Sequence, residues 1–577
     1  MEFHEKEFFA KRDPDIADAA GAKRKRLIAE LEASDPALWA AYQGAYAHTE
    51  AEAHFVRDSG RFPLCGQGRL NTYALFAETM RSLVGPAGRA GVIVPTGIAT
   101  DDTTKAFFGA INGGRELAGL YDFENRAKLF PDIDSRIKFC LLTLSGRGRP
   151  VKDGAELAFF CHDASDLDDP ERRFRLSPDE IALLNPNTLT CPIFRTKRDA
   201  EITLQIYRRA PVLMRESGSA SNPWSISFRQ GLFNMATDSA LFQGIDRLKL
   251  QGYSMDNGVL RKGAESCVRL FEGKMIGLYD HRAADVIISP TATIRQRQPR
   301  YLSGDDHRDP ARVALSEAWI EERVLSRELS TWTKDWLLGF CKVTSPTNER
   351  TMVSTIFPRA GAGDSVNLIF PPSAREAVLL QACLSSFSFD YVVRQKLGGI
   401  NLSFFVVAQL AIPAPDVLAR EAPWLKAQSI ADWIIPRVLE LDYTSTDLKG
   451  LAMDLGYDGP PFLWDEKRRV PIRAELDACF FHLYGLERDE VDYVMGTFPI
   501  VERHETERFG EYRTKSLILE CYDALAKAAD TGEPHASALD PPAGTTFVEI
   551  GGRSTMGSRL RTRSTGMREL GDGGANY

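Results

Sequence analysis

The sequence predicts an α/β sheet, followed by an irregular α+β region and a helical C-terminal region. Three observations predict it. Residues 85–104, "GPAGRAGVIVPTGIATDDTT", read as a Gly-punctuated turn, a short buried strand, a Pro-containing loop and a helix start. After about residue 150, short helices alternate with apolar runs broken by Pro, Asn and Ser. From 426 to 530 the apolar spacing returns to helical period, as in "IRAELDACFFHLYGL".

Each element follows in chain order. Residues 1–60 carry apolar residues at helical spacing among charges and read as helices. "LNTYALFAETMRSLV" reads as a helix capped by Asn71, with Tyr73, Phe76, Met80 and Leu83 on its apolar face. Residues 91–95 form the strand. "TDDTTKAFFGAI" is a helix capped by Thr100 or Asp101, and "RELAGLYDF" and "IKFCLLTLSG" are two further strands. "LSPDEIALL" has Ser177 as cap, Pro178 at the first helical position and Glu180 completing a capping box. The last 45 or so residues lack periodicity and read as a disordered tail.

The 577 residues are 44% hydrophobic and 26% charged, enough for several cores. The chain has no apolar run long enough to span a membrane and no signal-peptide core at its start. Nine scattered cysteines have neither zinc-site nor redox spacing and read as reduced thiols of a cytoplasmic protein. The net charge of −8 excludes a general polycation, so nucleic-acid binding would use local basic patches. There is no metal-ligand cluster and no nuclease signature.

"RFPLCGQGRLNTYALFAETMRSLVGPAGRAGVIVPTGIATDDTT" resembles the region just after the catalytic motif of adenine-specific DNA methyltransferases of the gamma class, in the Eco57I-like restriction–modification group. "YDFENRAKLFPDIDSRIKFCLLTL", "LNPNTLTCPIFRTKRDAEI", "FEGKMIGLYDHR", "WLLGFCKVTSPTNERT" and "FDYVVRQKLGGINLSFFVVAQLAIP" fit the same proteins in the same order, from about residue 1 to 525. The resemblance implies that residues 1–150 are the C-terminal part of a methyltransferase domain with a partial Rossmann-like sheet. Residues 151–425 would be a DNA target-recognition domain, 426–530 a helical region and 531–577 the disordered tail.

Such methyltransferases place a Gly-rich loop for S-adenosylmethionine, and then an Asn/Asp-Pro-Pro-aromatic tetrad, ahead of these segments. "MEFHEKEFFAKRDP" resembles the stretch immediately after the tetrad. The resemblance thus implies S-adenosylmethionine as the cofactor of the complete enzyme, and this chain alone is not expected to bind it. Double-stranded DNA and an upstream polypeptide carrying the loop and tetrad are the implied partners. "DGPPFLW" and "LDPPAGTTFVEIGG" imitate the tetrad and the loop, but no apolar strand leads into either.

Candidate site residues carry two readings each. By the resemblance, Phe130 in "KLFPDIDSRIKF" stacks on the adenine flipped out of the duplex; otherwise it is core. Pro95 and Gly97 lie where α/β sheets bind ligands, or in an ordinary loop. The stretch 195–215 has an excess of four positive charges, which makes Arg195, Lys197 and Arg198 phosphate contacts or a solvated face. Asn187 lies in "NPNT", which resembles the start of the recognition domain but also suits a turn. His281 in "YDHR" reads as a structural hydrogen bonder; its neighbour Arg282 is taken as a DNA contact. Asn348 and Arg350 have the side chains that pair with adenine and guanine edges. Lys396 and Asn401 flank a Gly-Gly turn, where backbone can approach a phosphate. The readings are part of a site-specific adenine methyltransferase, inactive alone, and a stand-alone DNA-binding specificity subunit without catalysis.

Overall fold

A computed structural model describes residues 2–544, apart from 217–220, 290, 292–296 and 398. Helices α1 (Glu5–Phe9), α2 (Pro14–Asp18), α3 (Gly21–Ser34) and α4 (Pro36–Asp58) open the chain. Asp13 and Asp35 cap α2 and α4 through their carboxylates, each followed by Pro at the first helical position. Phe9, Ile16, Ile28, Leu31 and Tyr42 give these helices a small core of their own.

The first sheet follows. Its elements are α5 (Thr72–Leu83), β1 (Arg89–Pro95), α6 (Gly97–Thr100), α7 (Lys105–Gly113), β2 (Leu117–Glu124), β3 (Lys138–Ser145), β4 (Ala155–Cys161) and β5 (Phe174–Leu176). The strand order is β1-β3-β2-β4-β5. β3 lies antiparallel between β1 and β2, and β2 runs parallel to β4. β1 is an edge strand. β4 and β5 carry the sheet past residue 150, where the change of sequence texture suggests a boundary. The texture marks connecting loops, while the pairing continues through the Leu120, Leu157 and Leu176 core.

Two helix starts differ from expectation. Asn71 precedes α5, but its side chain makes no capping bond. Neither Thr100 nor Asp101 caps α7; a short 3-10 turn, Asp102–Thr104, intervenes, and the Thr104 hydroxyl donates back to the Gly97 carbonyl at 2.6 Å. More consequentially, α5 buries Ala74, Leu75, Ala77 and Glu78, leaving Phe76, Met80 and Leu83 at the surface with exposures of 64, 39 and 72%. Of the apolar stripe that helical periodicity assigns to the core, only Tyr73 packs against it.

Helices α8 (Pro178–Leu184) and α9 (Lys197–Arg209) form as their capping boxes require, Ser177 with Glu180 and Thr196 with Asp199. The middle region then adds a four-stranded antiparallel sheet from residues 227–230, 336–341, 354–358 and 366–370, and a second sheet centred on residues 265–271. The C-terminal region consists of helices such as Ile430–Asp442, Glu466–Tyr484 and Arg513–Thr531. One continuous core runs from Ala53 and Val56 through the first sheet and the middle region to Leu525 and Ala528. The predicted disordered tail is corrected at its near end. Glu475 accepts from the Ala538 amide at 2.7 Å, and the Leu463 amide donates to Gly544, so residues 538–544 are packed on the helical region. Residues 545–577 lie outside the described part.

All nine cysteines are free thiols. Among the described residues no helix is long and apolar enough to cross a membrane, and no group of side chains could hold a metal ion.

Candidate nucleic-acid interface at the sheet edge

The C-terminal edge of the first sheet collects aromatic rings in register. Pro95 pairs with Phe139, Phe139 with Phe123, and Phe123 with Cys161, across β1, β3, β2 and β4. The Phe123 and Phe139 rings stack at 5.5 Å, and Phe130 meets Phe139 edge to face at 4.9 Å. Pairs of this geometry contribute about 0.5–1.5 kcal/mol each beyond area burial. Phe130 is nonetheless 39% exposed, as a residue of the core would not be.

A single buried side chain fixes the loop that carries Phe130. The Asn125 amide donates to the Phe130 and Ile133 carbonyls at 2.9 and 3.0 Å, and its oxygen accepts from the Phe130 amide at 2.9 Å. The tendency of Asn to bond backbone further along the chain is the sequence signal that points to this role.

Pro95 is exposed at the end of β1. Behind it Thr96 is buried and donates to Asp122, whose second oxygen accepts from the Phe160 amide at 3.1 Å. Burial pushes the Asp122 carboxyl above the usual carboxylate range. At Gly97 a Cβ would come within 2.3 Å of the Asp101 carboxylate and 3.1 Å of the Tyr73 hydroxyl. That space is taken by the protein's own side chains, and the Asp122 oxygens by Thr96 and Phe160.

The other candidates divide by burial. Arg195 is exposed, with its guanidinium 4.4 Å from the Phe160 ring centroid. Lys197 is exposed and lies 3.8 Å from Glu201; Arg198 pairs with Asp489 at 2.8 Å and lies over Tyr493. Arg208 is likewise engaged by Glu180. Lys197, Arg198 and Arg208 on α9 thus each face a neighbouring carboxylate, whereas Arg195 precedes the helix and has none among the described residues. Asn348 and Asn401 are exposed on loops.

Four candidates are engaged by the protein itself and are corrected, Arg282 fully buried and Asn187, Arg350 and Lys396 half-buried. Arg282 is fully buried and donates to the carbonyls of His307, Asp309, Arg312 and Thr444. Arg350 pairs with buried Asp390 at 2.7 Å and lies 4.0 Å over Phe387. The Lys396 ammonium is enclosed by the Leu184 and Gln409 carbonyls and the Asn185 amide oxygen, and burial holds it well below its ordinary pKa. Asn187 is consumed by the Met214 carbonyl and the Glu216 amide. In each case a residue type suited to DNA instead satisfies backbone groups or a buried carboxylate of the protein itself, a demand that spacing along the chain does not reveal.

His281 also has a structural role. Ser445 and Asp447 both meet its Nε2, each at 3.0 Å, and Arg269 pairs with the same carboxylate. A serine–histidine–carboxylate relay needs both ring nitrogens and an accessible hydroxyl. Here one nitrogen takes both partners, and the His281 and Asp447 side chains are 2% exposed.

No protein-family model and no curated protein matches the chain. Among solved structures it is similar to the type IIG restriction endonuclease BpuSI, at 14% identity and a TM-score of 0.24, over 77% of this chain and 52% of that one. It is also similar to the type IIL restriction-modification enzyme MmeI, solved in complex with DNA, at 11% identity and a TM-score of 0.36, over 78% and 55% of the two chains. The chain spans about half the length of these two proteins.

Proposed function

We propose that this chain supplies the base-stacking corner and the DNA-reading region of a site-specific adenine methyltransferase. The observation that carries the proposal is Phe130, held by Asn125 against Phe139 yet left open at the C-terminal edge of the sheet. A base extruded from a duplex needs a flat apolar face at a fixed position, and stacking of this kind contributes about 1–3 kcal/mol per base. The parallel β1, β2 and β4 with β3 inserted between the first two support reading the sheet as the late strands of a Rossmann-like domain. The ordered motifs from "GVIVP" to "FDYVVRQKLGG" support the gamma class.

The cofactor loop and the tetrad belong, in this proposal, to another segment that pairs along the edge of β1. S-adenosylmethionine would be held there and would supply the methyl group. The residues of this chain hold the extruded adenine flat at Phe130 and keep the flanking duplex in place. Alone, the chain should show no saturable binding of S-adenosylmethionine by calorimetry.

Methyl transfer from labelled cofactor to duplex DNA tests the reading, with this chain mixed with or fused to such a segment and each part alone as control. Transfer by the combination, reduced in Phe130→Ala by about 10-fold or more, with DNA affinity changed less, is the expected result. Duplex binding without transfer, in both the mixture and the fusion, would instead favour a DNA-binding specificity subunit.

A further inference from the structure

Between β2 and β4 the register slips by one residue. Tyr121 faces Ala158 and Phe123 faces Cys161, so two steps on β2 are matched by three on β4. Phe160 falls in this bulge with φ +57°, a conformation that costs a bulky side chain energy. Two half-buried or buried side chains enforce it. Asp122 accepts from the Phe160 amide at 3.1 Å, and Arg172 donates to the Phe159 and Phe160 carbonyls at 3.3 and 2.8 Å. Bulges of this kind re-aim a side chain and recur beside functional sites.

The re-aimed ring gathers cations. The Arg195 guanidinium lies 4.4 Å and the Lys138 ammonium 4.7 Å from its centroid. Lys138 is shared with Glu124 at 3.1 Å, whereas Arg195 has no carboxylate partner among the described residues. A guanidinium resting on an aromatic face keeps the N–H groups of its fork available, and that fork matches a phosphate. Phe123 and Cys161, Phe160's neighbour in β4, pair in the row that also contains Phe139, on which Phe130 packs.

Resting on the function proposed above, we propose that Phe160, Arg195 and Lys138 form a phosphodiester clamp for the DNA strand that presents the extruded base. Arg195 makes the forked contact and Lys138 adds a second charge. Phe160 is a positioning residue, the platform on which the guanidinium rests, and Asp122 and Arg172 hold that platform.

The test is the affinity of the full chain for a short duplex of random sequence over a range of salt concentrations. Arg195→Ala is expected to weaken binding about tenfold and to reduce the slope of log K against log salt by about 1. Arg195→Lys should restore the slope without restoring the affinity. Phe160→Ala and Phe160→Leu should weaken binding while leaving the slope unchanged, because the charges remain. Phe160→Gly relieves the positive φ, so a purely structural role predicts that it binds DNA normally; the clamp predicts weakened binding even where its thermal midpoint is retained. Arg195 and Phe160 variants that bind with the affinity and slope of the unsubstituted chain would overturn the clamp and leave the methyltransferase reading standing. Absence of any duplex binding by the unsubstituted chain, alone or combined with the cofactor-bearing segment, would overturn both.

Discussion

The edge of the first sheet and the junction around Asp447 are built from the same kinds of residue and differ in access. At the edge, Phe130 is 39% exposed and Arg195 lies open on an aromatic ring. At the junction, Arg269, His281 and Asp447 are buried together, and fully buried Arg282 donates to four carbonyls beside them. Residues 1–150, about a quarter of the chain, hold 10 of the 22 large apolar side chains described as exposed. The comparison teaches that burial decides what charge and aromaticity can do: a guanidinium is a brace where it is enclosed and stays open to solvent where it rests on an exposed ring.

The largest expected effect breaks the junction. At Asp447, burial works against ionisation, but His281 and Arg269 reverse it and hold the carboxyl well below its ordinary range. Asp447→Ala leaves Arg269 and His281 buried without their anion, which costs about 3–5 kcal/mol. Denaturant unfolding should show that loss, with DNA affinity per folded molecule unchanged. A loss below about 1 kcal/mol would mean that water reaches this junction and that its difference from the sheet edge is one of degree.

A second effect sharpens the contrast through pH. Burial pushes the Asp442 carboxyl up to about 8. Gln381 Nε2 donates to its Oδ1 at 2.8 Å, while Asp442 Oδ2 and Gln381 Oε1 are both buried without partners. A proton on Oδ2 supplies the missing donor and closes an amide–carboxyl pair. Arg469 lowers and Asp280 raises this pKa, but neither outweighs burial. The native state then holds a proton that the unfolded state, with a pKa of ~3.9, releases. Stability from this group is complete below about pH 4 and is lost as pH rises towards 8, at no more than about 1.4 kcal/mol per pH unit. Asp442→Asn keeps the pair without the proton and should flatten the profile between pH 4 and 8. A variant profile parallel to that of the unsubstituted protein would remove Asp442 as its source.

Much of the fold is legible in the sequence, and the reasons for the exceptions are specific. The first three strands and the capping box at Ser177 are local devices, set by alternation and by side chains three residues apart. The continuation of the sheet through β4 and β5 depends on pairing across the 145–155 connection, which no local pattern encodes. At the candidate site, the motif around Phe130 points to this loop, whose ring the structure leaves 39% exposed against Phe139. The roles of Asn125, Asp122 and Phe160 are not legible in the sequence, because a buried amide's partners and a positive φ at Phe arise from tertiary packing. Arg282, Arg350 and Lys396 show the opposite error, since a cation among polar residues reads as solvent-facing until the backbone around it is known.

The smallest expected effect is the one that separates periodicity from packing most directly. Helical spacing puts Phe76, Met80 and Leu83 on one apolar face, and an apolar face of that width is ordinarily the buried one. The structure instead packs α5 through Ala74, Leu75 and Ala77, because small side chains allow the helix to lie close against β1 and the Val94 core. If the stripe were core, replacing Leu83 or Phe76 with a small side chain would cost about 2–5 kcal/mol. With Leu83 72% and Phe76 64% exposed, Leu83→Ser and Phe76→Ser should each change stability by no more than about 0.5 kcal/mol. Chemical denaturation of the chain alone measures this. A loss of 2 kcal/mol or more in either variant would show that the stripe is covered in the isolated chain and that this region is as closed as the junction.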